Sequence, residues 1–284
     1  MSSAGPPQAA RAPSGGREPH EVGERGGHIK WPAEAIWEAV SPLLSGFTVE
    51  VLPQIDSTNT ELMRRARAGQ IEPVLLVAER QTAGRGRLGR DWSSDTQAQG
   101  RTLTFSLGLP LTPADWSGLS LAVGLSVVQS LHPQLRLKWP NDVWLGDRKV
   151  AGILIETASV GQDRYVVIGI GINIEAPGAD GMRTPPAGLR EVLPEVQAPD
   201  VLEHIMAPLV RAIQRFAAQG FAPLVAAYGA RDVLGGREVV CSDGLTGVAR
   251  GVDAGGALLV HTAAGLQRIT SSEVSVRPRP VLNP

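Results

Sequence analysis

The chain changes character at Gly235-Gly236, and this change limits the folds that are open to it. After these glycines, residues 237–276 form four or five short apolar runs that are separated by Gly or Asp turns and show no helical period. Such spacing is typical of a small all-β barrel. Before the glycines, helical and strand patterns alternate. We therefore expect an α+β chain, with a mixed β-sheet and flanking helices over residues 28–232 and a small β-barrel over residues 235–279.

Start signals and apolar periodicity locate the elements of the larger part. Thr58 and Glu61 have the spacing of a capping box. The segment Thr112-Pro113-Ala114-Asp115 predicts a helix start with Pro at the first helical position. Pro208 lies inside a long amphipathic pattern and predicts a kink or a later start there. Helices are predicted over residues 29–44, 58–68, 112–132 and 202–216, and strands over 47–52, 73–78, 103–109, 135–139, 143–145, 149–157 and 165–174.

Composition excludes several classes of protein. The formal net charge of −1 gives no electrostatic footprint for binding DNA or an anionic membrane surface. No apolar run approaches the roughly 18 residues of a transmembrane helix. Cys241, the single cysteine, can form neither an internal disulfide nor a cysteine-based zinc site. Because the first residues show no basic stretch followed by an apolar core, no secretory signal is visible and we expect a cytoplasmic protein. Residues 1–27 have the Gly/Pro/Ala/Ser-rich composition of a disordered tail.

Lysine is scarce in this chain, since only Lys30, Lys138 and Lys149 stand among 27 basic residues. Arginine has taken most positions where a generic positive charge suffices. The remaining lysines therefore become candidates for positions that need a compact ammonium group.

The segment from Gly84 to Trp92 packs three glycines, three arginines and an aromatic residue into nine positions, and we call it the Gly/Arg loop. Its glycines let the backbone approach a ligand closely. Arg85, Arg87 and Arg90 can bind carboxylate or phosphate oxygens. The alternative is a flexible basic surface loop that contacts RNA. The segment is not a P-loop, because no Gly-Lys-Ser/Thr follows.

Three further segments carry polar residues or glycines on predicted strands. Lys138–Asp142 ends a strand at a proline, and Asn141 offers an amide edge that could read an adenine; the alternative is a structural turn with a surface ion pair. Lys149–Glu156 contains Gly152 within a strand, where a ligand or another backbone can come close; the alternative is an edge-strand lysine that opposes aggregation. Gly169–Asn173 has the same small-residue character.

Ser57 and Thr58 stand at a predicted helix N-terminus and are most simply explained as its cap. Because helix N-termini also bind anions, this role is compatible with a binding site.

Together these segments resemble the biotin protein ligases (biotin–[acetyl-CoA-carboxylase] ligases), of the type without an N-terminal DNA-binding domain. The matching segments stand in the family's order: Asp56–Asn59, Gln81–Arg90, Lys138–Asp142, Lys149–Glu156 and Gly169–Asn173. Arg250–Leu259 and Arg277 resemble that family's small C-terminal domain. The resemblance covers residues 30–277 and implies the biotin–lipoate ligase fold, which is similar to class II synthetases, followed by an SH3-like barrel.

The resemblance also implies a two-step reaction. The carboxylate of biotin attacks the α-phosphate of ATP, with Mg²⁺ on the phosphates, and gives biotinoyl-5′-AMP and pyrophosphate. A lysine of a biotin carboxyl carrier protein then attacks the mixed anhydride. Homodimerisation is a family-level expectation, and no protein metal site is implied.

Site residues follow by analogy with the family. The catalytic residues would be Lys149, Arg87 and Arg85. Biotin would be held by Ser57, Thr58, Asn59, Gln81, Gly84, Arg85, Gly86, Arg87, Lys149 and Gly152. The nucleotide would be held by Arg85, Arg90, Trp92, Lys138, Asn141, Asp142, Asn173 and Arg277.

Two alternatives stay open at this point. A lipoate ligase or octanoyltransferase shares the catalytic fold, although the Gly/Arg loop and the Lys138–Asp142 segment favour biotin. A nucleic-acid-binding co-repressor built on the arginine-rich loop belongs to a different class. Some family members carry an N-terminal winged helix-turn-helix and repress transcription. Here about 25 residues lie between the low-complexity tail and the core, too few for such a domain, so no DNA binding is expected.

Overall fold

The computed structural model describes residues 29–92, 100–179, 184–270 and 276–278, together with Met1 and Met182. The predicted tail over residues 1–27, apart from Met1, lies outside the described residues.

A seven-stranded mixed sheet forms the centre of the larger part, as expected. Its strands are β1 (Thr48–Leu52), β2 (Val74–Ala78), β3 (Thr102–Pro110), β4 (Leu135–Lys138), β5 (Asp142–Leu145), β6 (Arg148–Val160) and β7 (Asp163–Asn173). They are ordered β1-β2-β3-β7-β6-β5-β4. Strands β1 and β2 run parallel, and every other neighbouring pair is antiparallel.

Alternation along the strands divides the sheet into two different faces. On β3, Leu103, Phe105 and Leu107 are buried in the main hydrophobic core, so Thr104 and Ser106 face the other side. The same alternation puts the isoleucines of β6 and β7 on the core face and their glycines on the opposite face. One face is therefore apolar throughout, and the other carries a patch of small and polar residues on β3, β6 and β7.

Helices cover both faces. The helices are α1 (Ala33–Val40), α2 (Thr58–Arg67), α3 (Leu119–Leu131), α4 (Ala198–Gln219) and α5 (Val225–Gly229). Helices α1, α3 and α4 bury their apolar stripes in the main core. Helix α2 packs on the opposite face, where Leu62, Met63 and Ala66 join a separate cluster with Leu76 and Val167.

Three predicted helix details are wrong. Helix α3 begins at Leu119 and not at Thr112, because Gly118 at its start has a φ of 82°. Helix α2 is capped by Ser57, as expected, and its side chain accepts the amide of Thr60; Thr58 is the first helical residue, so the expected capping box of Thr58 and Glu61 is wrong. Helix α4 runs through Pro208 as one element of 22 residues and starts earlier than expected.

The C-terminal part forms an antiparallel five-stranded sheet, and its SH3-like character was expected. Its strands are β8 (Glu238–Cys241), β9 (Thr246–Val252), β10 (Leu258–Thr262), β11 (Gly265–Ile269) and β12 (Val276–Pro278), ordered β11-β10-β9-β8-β12. The indole Nε1 of Trp139, directly after β4, donates to the carbonyl of Gly256 at 3.0 Å. Arg237 forms an ion pair with Asp147 of the β5–β6 turn at 2.5 Å. The first contact joins the small sheet to the carboxyl end of β4, where Lys138 lies, and the second joins it to the turn beside the opposite end of β4.

Within the described part of the chain, no helix has both the length and the apolar character needed to cross a membrane.

Candidate active site

A cleft opens on the polar face of the main sheet, between α2 and the Gly/Arg loop. The floor of the cleft is formed by small residues of β3, β6 and β7 that lie side by side across the sheet. Gly171 of β7 pairs with Gly152 of β6 on one side and with Thr104 of β3 on the other. The lining includes fourteen of the predicted site residues: Ser57, Thr58, Asn59, Gln81, Arg85, Gly86, Arg87, Arg90, Trp92, Lys138, Asn141, Asp142, Lys149 and Gly152. The structure therefore brings together residues that are up to 95 positions apart in the chain.

The indole of Trp92 lies on the glycines of the floor. A Cβ atom at Gly171 would collide with the indole ring, and one at Gly152 would lie 3.3 Å from it. The ammonium of Lys149 lies 5.6 Å from the centre of the same ring, at cation–π distance. Trp92 Nε1 is buried and has no hydrogen-bond partner among the described residues. The glycines are thus required by the close approach of this side chain.

One end of the cleft is polar and uncharged. Gln81 Oε1 accepts the backbone amide of Thr58 at 2.7 Å and its hydroxyl at 3.1 Å. The Ser106 hydroxyl lies 2.7 Å from the Thr58 hydroxyl and 2.6 Å from Asn59 Oδ1. All four side chains are buried, and their residues are at most 6% exposed. Such a network offers fixed donors and acceptors to a neutral polar ligand group.

The other end of the cleft is cationic and is organised around one carboxylate. Asp142 lies 2.8 Å from the ammonium of Lys149 and 3.7 Å from that of Lys138. Arg87 donates to Asn141 Oδ1 at 3.3 Å, while the Asn141 amide donates to the carbonyl of Ile153 at 2.8 Å. Asn141 is thus bonded to β6 on one side and holds the Arg87 side chain on the other.

The charges at this end perturb one another. Burial alone would raise the pKa of Asp142, but Lys149, Lys138 and Arg87 outweigh it and hold that pKa below its usual range. Burial lowers the pKa of Lys138, against the attraction of Asp142, and Arg277 of β12 adds to the lowering. Burial likewise lowers the pKa of Arg87.

The cleft is selective for anions. Its lining contains five basic residues and two acidic ones, Asp91 and Asp142, although the whole chain has a net charge of −1. This excess of positive charge is suited to phosphate and carboxylate groups. Among the described residues, no group of three or more histidine, cysteine, aspartate or glutamate side chains is arranged to hold a metal ion.

The Gly/Arg loop forms a short hairpin over the cleft. The amide of Trp92 donates to the carbonyl of Gly84 at 2.9 Å, and that of Gly86 to the carbonyl of Arg90 at 2.7 Å. A 3-10 turn at Arg87–Gly89 closes the hairpin. The guanidinium of Arg85 reaches Glu156 of β6 at 2.6 Å. The residues that follow this hairpin, 93–99, lie outside the described residues.

Three predicted site residues are not in the lining of the cleft: Gly84, Asn173 and Arg277. Asn173 is buried, and its amide donates to the backbone carbonyls of Lys149 and Ala187. Arg277 lies close enough to Lys138 to affect its pKa. The catalytic and binding roles of all the site residues stay predictions, including the nucleotide roles of Asn173 and Arg277 and the biotin role of Gly84.

Sequence reasoning missed Thr104, Ser106 and Glu156. Thr104 lines the cleft, and Ser106 and Glu156 hold residues that line it. For Thr104 and Ser106 the available signal was the alternation on β3, because it separates these two residues from the core positions Leu103 and Phe105.

Comparisons with known proteins agree with this geometry. Residues 51–173 match the model of the biotin/lipoate A/B protein ligase family, and residues 235–277 match that of the biotin protein ligase C-terminal domain. The chain is 34% identical over 249 residues to the bifunctional ligase/repressor BirA of Escherichia coli, covering 82% of this chain and 75% of that protein. It is also 34% identical over 240 residues to the biotin–[acetyl-CoA-carboxylase] ligase of Paracoccus denitrificans, covering 79% and 98%. A solved structure of Aquifex aeolicus biotin protein ligase in complex with biotin and ATP superposes with a TM-score of 0.70 at 30% identity, covering 81% of this chain and 99% of that one.

The fold, the anion-selective cleft and the first family model define an enzyme of the biotin/lipoate ligase class. Within that class, the chain belongs to the biotin protein ligase family, as its similarity over both parts of the chain shows. The predicted fold class and family are therefore confirmed. The lipoate or octanoate alternative receives no support from these comparisons.

Proposed function

We propose that this chain joins biotin to ATP in the cleft and then transfers the biotinyl group to a lysine of a biotin carboxyl carrier protein. The observation that carries the proposal is the division of the cleft into an uncharged polar end at Thr58, Gln81 and Ser106 and a cationic end at Lys149 and Asp142. The uncharged end lies at β3 and the cationic end at β6 and β5, which are two and three strand spacings from β3, or about 10–14 Å. Biotin has a matching division, because its neutral ureido ring and its carboxylate stand at opposite ends of the molecule.

In the first step, a carboxylate oxygen of biotin attacks the α-phosphorus of ATP. A phosphorus–oxygen bond forms, the bond between the α-phosphorus and the bridging oxygen of pyrophosphate breaks, and no proton is transferred. Negative charge accumulates where two anions meet, so fixed cations lower the barrier. Lys149 and Arg87 are placed to supply them. Mg²⁺ enters with the phosphates of ATP as part of the substrate.

In the second step, the neutral amine of a carrier lysine attacks the acyl carbon of the anhydride. The carbon–oxygen bond to phosphate breaks, AMP leaves, and the amine nitrogen releases one proton. The carrier assignment rests on the names of relatives such as the Paracoccus denitrificans enzyme. Homodimerisation, a cytoplasmic location and the absence of DNA binding remain predictions, as do the domain limits at residues 28–232 and 235–279.

The test is biotin-dependent exchange of labelled pyrophosphate into ATP, with lipoate and octanoate as parallel substrates. We expect exchange with biotin alone, because the polar end is built for a group that both donates and accepts hydrogen bonds. Exchange with lipoate instead would assign the chain to the other branch of its class. No exchange with any of the three acids, in folded protein, would refute adenylation.

Transfer is tested separately by incubating the chain with biotin, ATP and a carrier domain and measuring the mass of the carrier. We expect an increase equal to one biotinyl group on wild-type carrier and no increase on a carrier whose acceptor lysine is replaced by arginine.

A further inference from the structure

Glu156 of β6 links the Gly/Arg loop and the start of α2 to the same strand of the main sheet. Its Oε2 atom accepts from Arg85 of the Gly/Arg loop at 2.6 Å and from Asn59 of α2 at 3.0 Å. The two partners are 71 and 97 positions away in the chain. This carboxylate therefore ties the loop and the start of the helix to one point on the sheet.

The point of attachment is rigid because Asn59 is fixed from several sides. Its amide also donates to the carbonyl of Leu154 at 3.2 Å, and its Oδ1 lies 2.6 Å from the Ser106 hydroxyl. A Cβ atom at Gly169 would collide with the Asn59 amide, so the glycine makes room for it. Asn59 is 4% exposed and Ser106 is fully buried.

The ion pair changes the role of Arg85. Its guanidinium is directed to Glu156, so the carboxylate already compensates its charge, whereas Arg87 is directed to Asn141 beside Asp142. Arg85 is thus placed at the base of the hairpin and away from the cationic end. Arg85 and Arg87 therefore perform different tasks, although both belong to the Gly/Arg loop.

We propose that Glu156 is a positioning residue for biotin: by binding Arg85 it holds the Gly/Arg loop against the uncharged end of the cleft. This inference rests on the proposed function and replaces the catalytic role first assigned to Arg85 with a positioning role. Its consequence is a specific pattern of kinetic defects. The biotin KM depends on the pair, while kcat and the ATP KM depend on Arg87 and Lys149.

The experiment measures biotin-dependent pyrophosphate exchange for the wild-type chain, Glu156→Gln, Arg85→Gln and the double variant. Glutamine at position 156 keeps an oxygen for Asn59, so it removes mainly the ion pair. Glu50→Gln is the matched control, because Glu50 forms a half-exposed ion pair with Arg65 at 2.7 Å outside the cleft. Thermal unfolding of every variant reports whether the fold is kept.

Each single substitution is expected to raise the biotin KM about fivefold, the range of the strongest half-exposed ion pairs, with kcat and the ATP KM within about twofold. The double variant should be no worse than either single one, since both remove the same interaction. Glu50→Gln should match wild type.

Two results would overturn the inference. In the first, Arg85→Gln lowers kcat about a hundredfold while Glu156→Gln has no effect, which would return Arg85 to a catalytic role. In the second, both singles leave the biotin KM unchanged. Absence of exchange in the wild-type chain would instead reject the proposed function, and with it the inference. If Glu156→Gln fails to fold, Arg85→Gln on the exposed loop still decides between a KM and a kcat defect.

Discussion

Replacing Lys149 by alanine is the most direct test of how the cleft brings two anions together. The Lys149 ammonium lies 2.8 Å from Asp142 and 5.6 Å from the centre of the Trp92 ring, so its position is fixed from two sides. A fixed donor aimed at developing negative charge contributes about 2.7–4 kcal/mol to the transition state. We therefore expect Lys149→Ala to slow biotin adenylation by about 10²–10³-fold.

The substitution has a second, electrostatic effect. Without Lys149, the nearest ammonium to Asp142 is that of Lys138 at 3.7 Å, and the carboxylate then repels an incoming phosphate more strongly. The double variant Lys149→Ala with Asp142→Asn should accordingly recover part of the loss. Lys149→Arg should not restore the rate, because a Cβ at Gly152 would already be 3.1 Å from the ammonium and space for a planar guanidinium is limited.

The assay is pyrophosphate exchange at saturating biotin and ATP, with Lys30→Ala as control. Lys30 is exposed and does not line the cleft, so its loss should leave the rate unchanged. An exchange rate for Lys149→Ala within threefold of wild type would refute the assignment of charge stabilisation to this residue.

Three further substitutions test other parts of the structure. Gly171→Ala puts a Cβ where the Trp92 indole lies, so we expect displacement of the indole, seen as a changed tryptophan emission spectrum, and a biotin or ATP KM raised at least about tenfold; unchanged emission and KM would contradict the packing. Trp139→Phe removes the bond to Gly256 and should cost about 1 kcal/mol in thermal unfolding, whereas an unchanged midpoint would show that this bond does not hold the small sheet in place. Burial alone would raise the pKa of Asp253, but its hydrogen bonds with Arg268 and with the amides of Ala257 and Gly255 outweigh burial and lower that pKa in the folded chain. The contribution of this carboxylate to stability is therefore present above the unfolded pKa of about 3.9 and is lost as the pH falls through the folded pKa. Asp253→Asn should thus be about 1 kcal/mol less stable than wild type at pH 7, and this difference should shrink as the pH falls below about 3.9; a difference that stays constant into acid would refute this origin.

The loops of the site could be predicted from sequence because their residues are unusual for any other purpose. Glycines and arginines in alternation at 84–90 and a lysine–aspartate pair around Pro140 indicate anion binding even without a fold. Thr104 and Ser106 could not be assigned in the same way. The period of β3 puts them opposite the core, but it does not distinguish a face that borders a cleft from one that borders water. That distinction depends on glycines of β6 and β7, which reach the same place through long-range pairing.

The start of α3 shows the same limit for local structure. Thr112-Pro113 has every local property of a helix start, yet the helix begins seven residues later. Gly118 has a φ of 82°, and a Cβ atom there would collide with Phe221. The backbone of Gly118 also packs against Gly256 of the small sheet. A contact with residues more than 100 positions away therefore decides where this helix begins, and no local propensity contains that information.

The geometry of the site gives a physical reason why two of the few lysines are found there. Two of the three lysines meet at one carboxylate, Asp142, in a space bounded by indole rings: Lys149 lies over Trp92, and Lys138 lies 5.7 Å from the centre of the Trp144 ring. Two ammonium groups can share a single carboxylate there because each is a compact charge, whereas two guanidinium groups would each present a planar fork. Arginine, by contrast, occurs in the Gly/Arg loop, where Arg85 and Arg87 reach outward to oxygen atoms of Glu156 and Asn141. The choice between the two cations thus follows the shape of the space, with ammonium in the closed end of the cleft and guanidinium on the loop that covers it.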